Sequence, residues 1–166
     1  MNRPERSRWI TEALDQYEGR LVRYANRLTG NLDQARDVVQ ETFARLCGQD
    51  LGALNGRLGP WLFAVCRNRA IEIRRKDRRM YAAGELTMES MADDAVTPAE
   101  SAEDREQSGG ILRHLASLPD SQQEVVRLKF QESMSYREIS EVTGHSVSNV
   151  GFLLHTALKT LREKMT

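Results

Sequence analysis

Between Arg67 and Arg79, seven of thirteen residues are cationic: Arg67, Arg69, Arg74, Arg75, Lys76, Arg78 and Arg79. Fixed positive charge at that density neutralises phosphates, releases their counterions and makes binding strongly salt-dependent. Trp61 and Phe63 stand just ahead of the run. A ring there either stacks on an unpaired base or packs in a core, and spacing alone leaves both open. A second set lies near the C-terminus, where Ser146, Ser148, Asn149, Phe152, His155, Thr156 and Lys159 share one side of a 3.6-residue period. Hydroxyls and an amide hydrogen-bond base edges, an aromatic ring lies against a thymine methyl, and Lys159 with Arg137 upstream would hold phosphates. A third set, Asp37, Gln40, Glu41 and Ala44, forms a polar stripe opposite an apolar one. By itself that stripe reads as the solvated face of an amphipathic helix.

Other chemistry is not written into the chain. There is no phosphate-binding glycine loop, no nucleophile with a neighbouring base and no cluster of metal-ligating residues; His114, His145 and His155 are too scattered to form one. Catalytic residues, metal ions and cofactors are therefore not expected, and neither is enzymatic activity. Cys47 and Cys66 lack a CxxC partner and sit in helical patterns, which predicts buried, reduced thiols in a cytoplasmic protein. No apolar run approaches the ~20 residues that span a bilayer, so membrane insertion is not expected. The charged start MNRPERSRW leads into no apolar signal core.

The elements that position these residues follow from periodicity. Trp9, Ala13, Tyr17, Leu21, Tyr24 and Leu28 recur at spacings of three and four, predicting a long first helix closed by Thr29-Gly30-Asn31. A second helix is predicted over Leu32–Cys47, with Ala35, Val38, Val39, Thr42, Phe43 and Leu46 on its apolar face. Gly48–Gly59 reads as a loop. Pro60 opens a third helix, Trp61–Tyr81, where its missing N–H is not needed. Further helices are predicted over Ile111–Leu118, Ser121–Phe130, Ser135–Thr143 and Ser146–Met165. Alternating strand-like patterns are absent.

Charge is balanced over the whole chain, with 24 basic and 24 acidic residues, so only its distribution is informative. Residues 1–82 carry a net +6, 83–107 a net −7 and 108–166 a net +1. The chain thus reads as all-α: two small helical domains, 1–82 and 108–166, joined by a flexible acidic linker, 83–107, with no sustained period. Ile139-Ser140, Gly144 and Val150 have the spacing of a helix-turn-helix. The small residue lets two helices cross, the glycine makes the turn and the apolar residue plugs the crossing. Val147, Val150, Leu154, Leu158 and Leu161 are expected inward, leaving the polar set above facing a major groove.

Three stretches also carry a resemblance. Ala35–Leu46 resembles the "A-E-D-L-V-Q-E-x-F-x-R-L" helix by which sigma factors grip the polymerase clamp, with Arg36 where that pattern has Glu. Gly59–Glu72 looks like their "W-L-x-x-I-A-R-N-x-A-I-D" promoter-opening helix, with Glu72 where that pattern has Asp. Leu118–Val150 is similar to the "L-P-x-x-x-R-E-V" start and helix-turn-helix of their second DNA-binding domain. Order and spacing resemble the compact extracytoplasmic-function (ECF) group of the sigma-70 family. The recognition helix departs most: where the family commonly has "T-V-K-S-R-L-H-R-A", this chain has Asn149-Val150-Gly151-Phe152-Leu153-Leu154-His155-Thr156-Ala157, without its three basic positions.

The resemblance implies a factor that binds core RNA polymerase and promoter DNA, opens the promoter and answers to an anti-sigma factor. It implies that Asp37, Gln40, Glu41 and Phe43 contact polymerase. Trp61, Asn68, Arg69, Arg74, Arg75 and Lys76 would contact the −10 element. Arg137, Ser146, Ser148, Asn149, Phe152, His155 and Lys159 would contact the −35 element. Two rival readings use the same residues: a stand-alone helix-turn-helix regulator of duplex DNA, and a sigma-like decoy that occupies an anti-sigma protein.

Overall fold

A computed structural model describes residues 2–84 and 113–165. The chain divides into two units at Thr97/Pro98, and among the described residues helices are joined by turns and short irregular stretches, with no strand. The predicted linker 83–107 lies, from residue 85 onward, outside the described residues, as does the start of the helix expected at Ile111.

The first unit holds α1 (Arg3–Thr29), α2 (Leu32–Cys47) and α3 (Leu58–Ala82), each packed against the other two. Helix α1 starts in a capping box: the Glu5 amide donates to Asn2 Oδ1 at 2.9 Å, and the Asn2 amide to the Glu5 carboxylate at 3.3 Å. It ends at Gly30, whose φ of 71° is the left-handed conformation that releases the chain from the helix. Asn31 then caps α2, its side chain accepting from the Gln34 amide at 2.9 Å. The bounds of α2 and all six residues of its apolar face fall where the sequence puts them, every one of the six being buried.

Two expectations shift. Helix α3 begins at Leu58 rather than beyond Pro60, so the proline sits inside the first turn. That position is compatible because the first four N–H groups of a helix have no partner in it anyway. The stretch between α2 and α3 is a chain of tight turns, with Ala53, Leu54 and Asn55 amides donating to the carbonyls of Asp50, Leu51 and Gly52. Leu51 anchors it, being 2% exposed.

Leu21, Val38, Leu46, Leu62, Phe63, Cys66 and Ala70 fill the core of this unit. The Phe63 ring lies tilted against Tyr24 at 5.1 Å, which assigns Phe63 to core packing and removes it as a base-stacking candidate. Burial raises the Cys66 thiol from its ordinary value of 9.0 to about 12, a hydrogen bond with Thr42 opposing the rise. Cys47, expected to be buried, is exposed, being the last residue of α2. Since the thiolate is the nucleophile, native protein at pH 8 should take one iodoacetamide, at Cys47. Two should react in denaturant; mass spectrometry counts them. The protonated thiol is the form the core holds, so Cys66 stabilises the fold fully below pH 9.0 and loses its contribution as pH climbs toward 12.

The second unit contains a helical turn over 113–116 and then α4 (Asp120–Phe130), α5 (Tyr136–Thr143) and α6 (Val147–Lys164). Leu118-Pro119 stops the turn, and Pro119 stands at the N-cap of α4. A second capping box, between Ser135 and Glu138, starts α5. Gly144, at φ 82°, ends it, and Ser146 caps α6 by accepting from the Asn149 amide at 3.0 Å. Ile139, Val142, Val150, Leu154 and Ala157 close the space between α5 and α6, while Val125, Val126 and Leu128 face inward from α4. Val147, expected inward, is 47% exposed. It is the first residue of α6, beyond the edge of the helix crossing that covers Val150.

Candidate polymerase and nucleic-acid interfaces

On α2 the packed face leaves a solvent face holding Asp37, Gln40, Glu41 and Ala44, all exposed. Phe43 does not belong with them. It is 6% exposed, on the core side of the helix, because two residues beyond Glu41 a helix has turned about 200°. Its ring supports the stripe from behind and is not presented to a partner.

Glu41 is engaged within the chain. Arg69 Nε donates to its carboxylate at 2.6 Å, and Arg69 Nη1 to Glu72 at 3.2 Å. The Glu41 hydrogen bond, with a smaller contribution from Glu72, raises the Arg69 pKa above its ordinary value. A second polar link joins the same helices, Gln34 Nε2 donating to Asp77 at 3.0 Å. The stripe expected to meet polymerase and the cation run expected to meet DNA therefore share a seam. An i,i+3 partnership between Arg69 and Glu72 is legible from spacing; the Glu41 contact, 28 residues away in sequence, is not.

Along α3, Asn68, Arg75 and Lys76 are exposed, Trp61 is half-buried, and Arg69 is held by Glu41 and Glu72. Arg74 has a structural tie: Nη1 donates to the Leu28 carbonyl at 2.8 Å, occupying one of the unpaired carbonyls at the end of α1. Arg6 acts similarly at the other end of the unit, hydrogen-bonding the Cys47 and Gln49 carbonyls where α2 stops.

The helix-turn-helix is tied together through its turn. Ser140 Oγ donates to the His145 carbonyl at 2.6 Å, and the His145 amide to Thr143 Oγ1 at 3.2 Å. Thr143 Oγ1 donates in turn to the Ile139 carbonyl at 2.8 Å. Gly151 faces the Tyr136 ring of α5, and a Cβ there would meet it in ordinary van der Waals contact at 3.6 Å. The outer face of α6 carries Ser146, Ser148, Asn149, Phe152, His155 and Lys159, all exposed, with Thr156 partly so. Arg137, on the first turn of α5, is also exposed. Sequence alone does not single out His145 as a site residue, yet its Nδ1 lies 3.2 Å from Asn149 Nδ2.

Comparison with known proteins matches both units. Residues 13–80 match the model of Sigma-70 region 2, and residues 109–161 match Sigma-70, region 4. The chain is 32% identical over 154 residues to the ECF RNA polymerase sigma factor SigL of Mycobacterium tuberculosis (strain ATCC 25618 / H37Rv), covering 89% of this chain and 84% of that one. It belongs to the ECF RNA polymerase sigma factors. Likeness extends to SigW of Bacillus subtilis (strain 168), 29% identical over 165 residues, 94% of this chain and 88% of that one. SigM of the same organism is 28% identical over 154 residues, 92% and 93% of the two chains. Sigma factors are non-enzymatic initiation factors, and the chemistry of RNA synthesis belongs to the polymerase. In this sigma factor the helices α1–α3 fall within or overlap the region 2 match, and α4–α6 the region 4 match.

Proposed function

We propose that this ECF sigma factor divides its work between its two units. Residues 1–82 bind core RNA polymerase through Asp37, Gln40 and Glu41 and hold the opened −10 element with Trp61, Asn68, Arg69, Arg75 and Lys76. Residues 108–166 bind the −35 element as duplex, through Ser146, Ser148, Asn149, Phe152, His155 and Lys159, with Arg137 on a phosphate. The segment 83–107 is the acidic connector between them. The observation that supports this division is exposure: apart from Phe43, half-buried Trp61 and Arg69 in its ion pairs, the positions that resemble the family's contact residues are open to solvent. The apolar residues between them are packed.

An anti-sigma protein is the further partner we propose, since the polymerase-facing stripe lies open on the free chain. The compartment is that of polymerase and chromosome, the cytoplasm. No helix among the described residues is long and apolar enough to cross a membrane.

A second reading of α6 has its own support. Phe152 is 65% exposed and Val147 47%, an apolar content that suits a protein partner as well as a thymine methyl. Footprinting the holoenzyme with Asn149→Ala separates the two. DNA readout predicts a weakened footprint and altered sequence preference over the distal element; an unchanged footprint with unchanged preference assigns the helix to a protein.

A further inference from the structure

Asn149 is the third residue of α6, at the end of a recognition helix from which base edges are reached. Its backbone is fixed by the Ser146 cap at 3.0 Å. Its side chain is fixed separately, Nδ2 lying 3.2 Å from His145 Nδ1. An amide NH2 has hydrogens to donate and no lone pair to accept with, so Nδ1 must be the acceptor and the ring proton resides on Nε2. His145 is itself held on both sides, its carbonyl by Ser140 at 2.6 Å and its amide by Thr143 at 3.2 Å. The backbone of residue 145 is thereby fixed in the turn, and from it the imidazole Nδ1 reaches one hydrogen of one side chain.

One Nδ2 hydrogen of Asn149 goes to His145, leaving the other hydrogen and Oδ1 for a base. One donor beside one acceptor is the pair that adenine takes in the major groove, N7 accepting and N6–H donating. Guanine offers two acceptors there and gives the Oδ1 atom nothing to bind. We infer that His145 is a positioning residue that holds the Asn149 amide for bidentate recognition of one adenine in the distal promoter element. The inference rests on the reading of α6 as a reader of duplex DNA. In a helix face whose only cation is Lys159, a side chain oriented in advance by a neighbouring hydrogen bond supplies discrimination that flexible cations do not.

The test uses holoenzyme and a distal element selected from a randomised duplex library. Each adenine in turn is replaced by 7-deazaadenine, which keeps N6–H and lacks the N7 acceptor. For the native chain, one replacement should weaken binding about tenfold, within the range of a good base contact. Asn149→Ala should be indifferent to that replacement. His145→Ala should lose most of the discrimination between adenine and 7-deazaadenine while the chain's thermal transition stays in place, because both backbone hydrogen bonds of residue 145 survive. His145→Asn should restore it, since an Asn Oδ1 branches from Cγ as Nδ1 does. If His145→Ala discriminates as the native chain does, the positioning role is overturned and DNA reading by Asn149 stands. If no adenine is sensitive, or Asn149→Ala keeps the sensitivity, the adenine assignment is overturned. An unchanged Asn149→Ala footprint in the same preparations would remove the DNA-reading premise as well.

Discussion

Asp37→Ala combined with Glu41→Arg should abolish binding to core polymerase while leaving helicity unchanged. Both side chains are exposed on a helix whose opposite face carries the packing, so the variant removes nothing from the core. Exposed ion pairs contribute only ~0–1 kcal/mol to folding, which bounds the cost of breaking the Glu41–Arg69 pair. A charge desolvated against a partner protein behaves differently, and removing one member costs roughly 2–5 kcal/mol of binding. The arginine at 41 also reverses the charge presented to basic groups on the clamp. A fluorescence titration of core polymerase, with circular dichroism as the control, reads both halves of the expectation. Unchanged affinity would remove the stripe from the interface. Arg69→Ala provides a useful contrast: it frees Glu41 from its ion pair and should leave core binding intact.

The second large effect is expected at promoter opening. Arg75→Ala with Lys76→Ala should reduce permanganate-reactive open complex at least tenfold while polymerase affinity changes little. These two cations are exposed, whereas Arg74 beside them holds the Leu28 carbonyl and Arg69 is held by Glu41 and Glu72. Holding a flipped base and its strand must offset a few kcal/mol of unstacking, and phosphate-binding cations open to solvent are the means available on α3. The salt dependence of opening should become shallower, by about one unit of slope for each phosphate that is no longer neutralised. Equal losses of binding and opening would show that the pair acts elsewhere. Arg74→Ala is expected to lower thermal stability instead, by uncapping the end of α1.

How much of this could be read from the sequence depended on whether a signal was local. Helix α2 was legible to the residue, because Thr29-Gly30-Asn31 closes the helix before it, Gly48 opens the loop after it, and six apolar positions repeat at helical spacing between them. The helix-turn-helix was legible for the same reason: Gly144 needs its φ of 82°, and Val150 is fully buried at the crossing. What escaped was what depends on neighbours distant in the chain. Phe43 had two readings in the sequence, one on the apolar face of α2 and one in the motif that resembles a polymerase grip, and its 6% exposure decides for the first. Phe63 and Trp61 have similar aromatic chemistry two residues apart, and α1 buries the first against Tyr24 while the second stays half-open. The cation run looked uniform; the Leu28 carbonyl and Glu41, 46 and 28 residues away, set Arg74 and Arg69 apart from exposed Arg75 and Lys76. Val147 continued the apolar period but stood one turn too early to be covered.

Initiation directed by this chain is tested most directly by run-off transcription with purified core polymerase, on a library of genomic fragments from the chain's own source. Discrete transcripts are expected that require the chain, start at a common spacing from shared upstream elements and vanish with Asp37→Ala/Glu41→Arg. Core polymerase giving the same transcripts with and without the chain, under conditions where the chain is folded, would contradict its role as a sigma factor.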